Sequence, residues 1–384
     1  MVQTLPGTSL IDLNTPCLLL DRDKLDANIA RMKAHLAPFN VVLRPHLKTV
    51  KSIDVARRVM SSAQGPATVS TLAEAEAFAK WGVRDILYAV GLTPAKIERV
   101  TALRRSGVDL TVIIDGLEAA KAIASASRAS GDAIPVLIEI DCDGHRAGVA
   151  AGAFDELVAI GRVLEDGARL RGVMTHAGSS YNGGSLAEIE AIAEIERKGA
   201  VDGAEALRAA GLPCPVVSVG STPTALFGQN YDGVTEVRAG VFMFFDLVMA
   251  GINVCTVDDI ALSVLATVIS RQDSKGRITV DSGWTALSRD RGTADQKVDQ
   301  GYGLVCDLQG VPYPDLIVQA TNQEHGVLEL RTNANAALPP LKIGDRVRIL
   351  PNHACATGSQ HAEYAVIRTG GTAVSEVWPR FSGW

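Results

Sequence analysis

The sequence predicts an α/β protein, a (β/α)8 TIM barrel with a C-terminal antiparallel β domain. Eight short apolar or β-branched runs alternate with Ala- and Glu-rich helical segments between residues 41 and 238. Because such alternation is typical of parallel strands, eight runs favour a closed barrel, and an open doubly wound sheet is the alternative. Beyond Ala261 the helical period gives way to alternating segments and turn residues, which indicates antiparallel strands.

The elements follow in order along the chain. Pro16–Asp21 is predicted as a strand, with Asp21 or Asp23 as the cap of a helix over Lys24–Leu36, whose apolar residues recur three and four positions apart. The barrel strands are predicted as a run ending at His46 and as Ala67–Ser70, Asp85–Ala89, Leu110–Ile114, Pro135–Ile140, Leu170–His176, Val216–Gly220 and Val234–Arg238. The later strands are predicted at Leu262–Ser270, Arg277–Asp281, Leu316–Gln319, Gly326–Leu330 and Asp345–Leu350.

Composition places the chain among globular enzymes. Its 384 residues, 47% hydrophobic and 21% charged, are enough to bury the cores of two domains. A net charge of -6 without a run of basic residues gives no basis for binding nucleic acid or an anionic membrane. The N-terminus lacks a signal-peptide pattern, no stretch reaches the roughly 18 apolar residues of a spanning helix, and the cysteines are scattered singly. We therefore expect a cytoplasmic protein without a disulfide framework.

Polar side chains follow the predicted barrel strands at their carboxyl ends, where the active sites of barrel enzymes gather. They are His46 and Lys48 after the first strand, Arg146 after the fifth, His176 and Tyr181 after the sixth, and Gly220–Thr224 and Glu236–Gly240 after the last two. Lys48 closes an apolar run, so we expect partial burial to strip water from its ammonium. The neutral amine would then be available to attack a carbonyl.

The small-residue turn at Gly220, Ser221 and Thr222 leads into a predicted helix. Such a turn presents backbone N–H groups and hydroxyls to a phosphate at the positive end of the helix, although a plain helix cap has the same pattern. A phosphate-binding turn together with an amine that attacks an aldehyde predicts pyridoxal 5'-phosphate as cofactor. Gly240 is assigned to the same cofactor site, and Arg146 to the phenolate oxygen of the cofactor.

His353 and Cys355 form a second candidate site, far along the chain. In an extended strand, residues two apart point to the same face, so both side chains would bind one metal ion. Imidazole plus thiolate favours zinc, with magnesium and manganese as alternatives, and two protein ligands leave positions open for water and substrate. A buried histidine beside a core cysteine is the simpler interpretation. His325 and His361 are further candidate ligands.

These motifs resemble the D-threonine aldolase and D-serine dehydratase family of alanine racemase-like pyridoxal phosphate enzymes. The similar segments are Arg44–Thr49, Gly144–Gly148, Thr175–Ser179, Gly220–Thr224 and Pro351–Cys355, with Ser288–Thr293 and Asn322–Gly326 resembling its dehydratases. The resemblance implies a segment 1–20 whose strand joins the β domain, a cofactor-binding barrel over 21–260, and a β domain over 261–384 that carries the metal site. It also implies that Lys48 is the cofactor lysine, that His353 and Cys355 hold a divalent metal, and that the protein is a homodimer.

The resemblance implies a dehydratase that converts a D-3-hydroxyamino acid, D-threo-3-hydroxyaspartate or D-serine, into a 2-oxo acid and ammonia. By the same resemblance, dehydratases of this family have a cysteine two residues after the metal-binding histidine, as Cys355 follows His353, whereas its aldolases usually have an aspartate. Retro-aldol cleavage of D-threonine or 3-hydroxyaspartate to glycine and an aldehyde is the alternative. A racemase has no use for a metal, and a non-catalytic pyridoxal phosphate-binding protein would leave the β domain unexplained. A hydroxyaspartate substrate needs a cation for its second carboxylate, for which Arg289 and Arg291 are the candidates.

Overall fold

The structure, a computed structural model, describes residues 5–332 and 334–384 and divides into two compact units. The barrel unit comprises Arg31–Gly240 with Phe381–Trp384, and the β unit comprises the chain up to Ala30 together with Val241–Arg380. The first four residues of the predicted segment 1–20 lie outside the described residues. None of the described helices has the length and apolar character that a membrane span requires.

The strands and helices are numbered in chain order. The strands are β1 (Cys17–Asp21), β2 (Val42–Pro45), β3 (Ala67–Val69), β4 (Asp85–Gly91), β5 (Asp109–Ile114), β6 (Pro135–Asp141), β7 (Val149–Ala150), β8 (Arg169–Thr175), β9 (Val216–Val219), β10 (Glu236–Ala239), β11 (Leu262–Gln272), β12 (Arg277–Val280), β13 (Leu304–Cys306), β14 (Pro312–Thr321), β15 (Gly326–Leu330), β16 (Arg346–Leu350), β17 (Glu363–Ile367) and β18 (Glu376–Pro379). The α-helices are α1 (Arg22–Leu36), α2 (Ile53–Val59), α3 (Leu72–Lys80), α4 (Ile97–Arg105), α5 (Leu117–Ser130), α6 (Phe154–Glu165), α7 (Leu186–Ala209), α8 (Thr222–Phe227), α9 (Leu247–Gly251), α10 (Trp284–Leu287) and α11 (Ala354–Gly358).

The barrel unit confirms the predicted ring of parallel strands. Its main strands pair in the order β2-β10-β9-β8-β6-β5-β4-β3, each neighbouring pair parallel, and β7 adds to β6. A parallel bridge between His46 and Thr68 brings the two ends of this order together. Each of the eight predicted runs overlaps one of these strands, so their carboxyl ends share one end of the ring.

The barrel strands pack both apolar and charged side chains. Leu87, Ile113, Leu137 and Met174, from four adjacent strands, form a buried apolar cluster. Nearby, the buried Arg44 is held by two carboxylates: Nε lies 2.8 Å from Oε2 of Glu236 and Nη1 lies 2.7 Å from Oδ1 of Asp85. The pair with Glu236 joins β2 to the neighbouring β10, and the pair with Asp85 joins β2 to β4.

The β unit is built on the predicted antiparallel strands. They pair in the order β12-β15-β14-β13-β16-β11-β1-β17-β18, and β1 lies between β11, which is antiparallel to it, and β17, which is parallel. The sequence prediction missed three strands of this unit, β13, β17 and β18. Because β13 and β18 are only three and four residues long, they carry too little pattern, and the short apolar run of β17 does not distinguish strand from helix.

Asp21, one of the two predicted caps of α1, does cap it, because its Oδ1 accepts the N–H groups of Asp23 and Lys24 at 3.1 and 3.2 Å.

Residues 21–30 and 241–260 lie in the β unit, although the sequence prediction placed them in the barrel domain 21–260. Residues 241–260 join the β unit through hydrogen bonds such as Leu247 N to Pro351 O, at 3.1 Å. The predicted domain limits, taken as functional divisions, stay a prediction.

Candidate active site

Lys48 lies in the turn that follows β2. The structure places its side chain in an exposed position, so the expected burial of this lysine is wrong. The turn is nevertheless fixed on both sides: Leu47 N donates to Thr68 O at 2.8 Å, and Lys51 Nζ lies 3.3 Å from Oε1 of the buried Glu74. An anchored turn, rather than burial, therefore presents the amine of Lys48 at this end of the barrel.

His46 and His176 lie among the same cations. Burial lowers the pKa of His46 well below its usual value and that of His176 to about 4, and the positive charges of Lys48, Arg238 and Arg146 act in the same direction on both. Both imidazoles are consequently neutral at pH 7. The shared influence shows that the structure brings the four predicted residues His46, Lys48, Arg146 and His176 together.

The two histidines are fixed to different degrees. His176 Nδ1 lies 2.9 Å from Gly220 O, and its ring centroid lies 6.1 Å from that of Tyr181. Nε2 of His46 lies 3.4 Å from Ser70 Oγ, while its Nδ1 is buried without a hydrogen-bond partner among the described residues. A buried ring nitrogen of this kind is expected to have a partner, which a bound ligand would supply.

Arg146 lies in the glycine-containing loop after β6. Asp141 Oδ1 organises the loop by accepting N–H groups, including that of Gly144 at 2.8 Å. The side chain of Arg146 is 57% exposed, and its Nη2 lies 3.6 Å from Oε1 of the buried Glu139, whose pKa is raised by burial. The guanidinium therefore keeps N–H groups that are available to an anionic ligand.

The turn at Gly220–Thr224 is a capped helix start in this structure. Ser221 Oγ accepts the N–H of Thr224 at 3.2 Å, Ser221 N donates to Thr224 Oγ1 at 3.0 Å, and Ser180 Oγ lies 2.7 Å from Ser221 Oγ. Part of the set of hydrogen-bond donors is thus engaged within the protein, and the phosphate role of Ser221 and Thr222 stays a prediction.

The position of Gly240 has no room for a side chain, because a Cβ there would lie 2.8 Å from His46 O.

Glu196, on α7, organises this region and was missed by the sequence reasoning. Its buried carboxylate accepts the N–H groups of Ala177 at 2.8 Å and Gly220 at 3.0 Å and the hydroxyl of Thr224 at 2.7 Å. Burial raises its pKa. A signal was present, because Glu196 continues the buried stripe of α7 (Ile189, Ala193, Ala200, Gly203, Ala204 and Leu207), where a lone carboxylate needs partners.

The barrel residues fit pyridoxal phosphate. The cofactor is an anionic aldehyde, and this end of the barrel presents an accessible primary amine, the cations Arg146 and Arg238, and a buried ring nitrogen without a partner. Arg238 is itself buried and donates to Thr175 O and Ser218 Oγ, both at 2.5 Å, so it contributes mainly through its charge. Lys48, Arg146 and the turn after β9 are the groups that would hold the cofactor.

His353 and Cys355 lie in the β unit, where the local backbone differs from the expected strand. β16 ends at Leu350, His353 caps α11 with extended φ and ψ of −135° and 110°, and Cys355 belongs to the helix itself. The prediction that both residues sit in one extended strand is therefore wrong. The two side chains still meet, because a hydrogen bond that the His353 imidazole donates to the sulfur of Cys355 contributes to the raised pKa of His353.

Two carboxylates complete the surroundings of His353. Asp290 Oδ2 lies 2.8 Å from its Nδ1, and the buried Asp246 accepts the N–H of Ala354 at 3.0 Å. Burial alone would lower the pKa of His353, but hydrogen bonds to Asp290 and Cys355 and the charge of Asp246 raise it to about 11. The Ser288–Thr293 segment resembles the dehydratases of the family, but its sequence alone did not indicate that Asp290 contacts His353.

The donor set fits a metal cation. The negative groups that favour a proton on His353 would equally favour a metal, with Nε2 of His353 and the sulfur of Cys355 as ligands. Among the described residues there is no cluster of three or more His, Cys, Asp or Glu side chains arranged for a metal. The pair alone would leave positions for water and substrate, as the sequence predicted.

The other histidines and arginines that the sequence offered as candidates have different surroundings. His361 Nε2 lies 3.0 Å from Ala286 O, burial lowers its pKa to about 4, and His325 is exposed. The structure places neither of them against His353. Arg291 Nη2 lies 2.6 Å from Asp299 Oδ2, whereas the guanidinium of Arg289 lies over the Trp284 ring, 4.4 Å from its centroid.

Comparison with known proteins identifies both units. The model of the alanine racemase N-terminal domain matches residues 20–248, and the model of the putative serine dehydratase domain matches residues 261–367. The chain is 53% identical to D-threo-3-hydroxyaspartate dehydratase of Delftia sp. strain HT23, over 98% of this chain and 99% of that one. The chain is 29% identical to D-serine dehydratase of Dictyostelium discoideum, over 96% of this chain and 97% of that one. It is 28% identical to 3-hydroxy-D-aspartate aldolase of Paracoccus denitrificans, over 98% of this chain and 94% of that one.

Solved structures of D-threo-3-hydroxyaspartate dehydratase superpose closely on this chain. The unmodified enzyme has a TM-score of 0.93 at 53% identity, covering 98% of this chain and 100% of that one. A variant in which a histidine is replaced by alanine has a TM-score of 0.95, and a variant in which the cysteine two positions later is replaced by alanine has a TM-score of 0.93. The cysteine variant is described as metal-free.

Proposed function

We propose a function from the premise that this chain belongs to the family that joins an alanine racemase N-terminal domain to a serine dehydratase domain. The protein is a lyase, a dehydratase of D-3-hydroxyamino acids. Its favoured substrate is D-threo-3-hydroxyaspartate, with D-serine second, and the products are a 2-oxo acid and ammonia. The observation that carries the proposal is the 53% identity, over nearly the whole chain, with a dehydratase of that substrate.

Two bound groups belong to the proposal. Pyridoxal phosphate, when bound, supplies an aldehyde for amines and a ring that withdraws electrons from Cα. Lys48 would hold it and would move the Cα proton of the substrate, while Arg146 would donate to an oxygen of the cofactor. His46 and His176, neutral at pH 7, would accept or donate hydrogen bonds without adding charge.

His353 and Cys355 would hold a divalent metal, zinc in first place, whose chemistry is Lewis acidity toward the 3-hydroxyl of the substrate. Asp290 would fix the imidazole and leave Nε2 for the metal. Elimination requires the hydroxyl to leave as hydroxide, whereas retro-aldol cleavage requires a base to deprotonate it. Cys355, in the place where the aldolases of the family have an aspartate, supports elimination. The homodimer and the cytoplasmic location expected from the sequence are also part of the proposal.

A panel of D- and L-3-hydroxyamino acids tests this function when ammonia, 2-oxo acid, glycine and aldehyde are all measured. We expect equal amounts of ammonia and oxaloacetate from D-threo-3-hydroxyaspartate, pyruvate from D-serine, and little glycine. The L-isomers should be inactive. Glycine and an aldehyde as the main products from every substrate would make the protein an aldolase.

A further inference from the structure

Arg289 directly precedes Asp290, the residue that contacts the imidazole of His353. Its backbone is tightly defined: α10 ends at Leu287, the following residue Ser288 has a φ of +75°, and Ser288 Oγ accepts the N–H of Asp290 at 3.2 Å. Positive φ is rare for a serine and persists where the surroundings enforce it. The backbone of Arg289 therefore belongs to the ordered segment that presents Asp290 to the candidate metal-binding histidine.

The guanidinium of Arg289 is oriented but not neutralised. It lies over the face of Trp284, 4.4 Å from the ring centroid, and its side chain is exposed. Within residues 5–332 and 334–384 it forms no ion pair and no side-chain hydrogen bond. Because stacking uses the face of the guanidinium, the N–H groups along its edge remain available for a bidentate contact with a carboxylate.

Arg291, the other candidate, is already paired. Its Nη2 lies 2.6 Å from Asp299 Oδ2, and its guanidinium lies 5.0 Å from the centroid of the Tyr302 ring. A second carboxylate at Arg291 would be repelled by Asp299 at short range. Among the described residues, the two arginines that sequence alone left equivalent thus differ: Arg291 is paired with a carboxylate at Nη2, with its buried Nε left without a partner, whereas Arg289 is paired with no carboxylate.

We propose that Arg289 binds the side-chain carboxylate of the substrate and selects a 3-hydroxyaspartate over D-serine. This assignment rests on the proposed dehydratase function and deepens it. In hydroxyaspartate the second carboxylate is attached to the carbon that bears the hydroxyl, so its binding group must lie close to the group that binds the hydroxyl. Arg289 is the exposed arginine that directly precedes Asp290, the residue in contact with His353, which is why we assign it this role. D-serine has no second carboxylate for it to bind.

The test compares Arg289→Gln with the matched control Arg291→Gln in the holoenzyme. The ratio of kcat/KM for D-threo-3-hydroxyaspartate to that for D-serine should fall about 10- to 100-fold in Arg289→Gln, which is the value of a charge-assisted hydrogen bond. Arg291→Gln should keep the ratio within about twofold. Arg289→Lys keeps the positive charge but not the planar, forked set of N–H donors, so its ratio should lie between those of Arg289→Gln and the unsubstituted protein. An unchanged ratio in Arg289→Gln, or a selective loss in Arg291→Gln, would overturn the assignment.

A binding measurement separates the assignment from the function. D-aspartate has both carboxylates but no hydroxyl to lose, and its Kd for the holoenzyme is measurable by calorimetry. We expect Arg289→Gln to weaken D-aspartate binding by the same factor. Arg289-dependent binding in a protein that releases no ammonia would refute the proposed function and support the carboxylate site. Binding that Arg289→Gln leaves unchanged would refute the site.

Discussion

The carboxylate of Asp290 lies 2.8 Å from Nδ1 of His353, so the imidazole has only Nε2 to offer a metal ion. A carboxylate in this place orients the ring and raises the basicity of the metal-binding nitrogen. Asp290→Asn should therefore weaken metal binding about 10- to 100-fold. Competition against a coloured chelator measures this affinity. Asp299→Asn, which removes a carboxylate paired with Arg291, is the control, and an equal effect of both substitutions would contradict the role of Asp290.

Loss of the metal should stop turnover without loss of the cofactor. His353→Ala, or treatment with a chelator, should abolish ammonia release and lower the measured metal content, while the visible absorption band of the cofactor stays because Lys48 is unchanged. His325→Ala, at an exposed position, should keep metal and activity. Full activity in metal-free protein would refute the assignment of His353 and Cys355.

Lys48 should be the residue to which the cofactor is attached. Borohydride treatment of the purified protein should bleach the visible band and leave a label that peptide mass spectrometry maps to Lys48, and Lys48→Ala should lose the band and nearly all turnover. Lys51→Ala is the control: it should keep the label and lose only the contact with Glu74. A label on Lys51 would reverse this assignment.

Glu196 should stabilise the ends of two barrel strands. Glu196→Ala leaves two buried N–H groups and a hydroxyl without their acceptor, at about 1–3 kcal/mol for each group that stays unpaired. Thermal unfolding should therefore show a Tm lower by several degrees and weaker cofactor retention. Glu190→Ala, on an exposed face of α7, should leave Tm almost unchanged, and similar Tm values for both variants would argue against this function of Glu196.

Stability should decrease as pH falls from about 6.5 towards 4. Burial lowers the pKa of His176 and His361 to about 4, so in this range the unfolded chain binds protons at these positions and the folded protein does not. The free energy of unfolding then rises with pH, because the unfolded state holds more protons. His361→Gln should flatten the dependence on pH, measured by urea unfolding at several pH values, whereas Gln360→Ala should not. A steeper dependence in His361→Gln would show that the sign is wrong.

Much of the fold was accessible from sequence because it depends on neighbouring residues. The alternation of apolar runs and helical segments predicted the parallel barrel, and the change of period near Ala261 predicted the antiparallel strands. The rule that chemistry gathers at the carboxyl ends of barrel strands placed His46, Lys48, Arg146 and His176 near one another, as the structure has them. Strands of three or four residues carry too little pattern for such reasoning, and β13 and β18 were missed.

The barrel, the β domain and the residue types of both candidate sites could be predicted from sequence, because periodicity and motif spacing are local properties. Which distant side chains meet depends on how the chain folds. Asp290 and His353 are 63 positions apart, and Glu196 on α7 accepts the N–H of Gly220, which follows β9. The exposure of Lys48, the helical position of Cys355 and the difference between Arg289 and Arg291 also depend on neighbours brought from elsewhere in the chain. Burial and charge pairing are set by packing, which no local window of sequence contains.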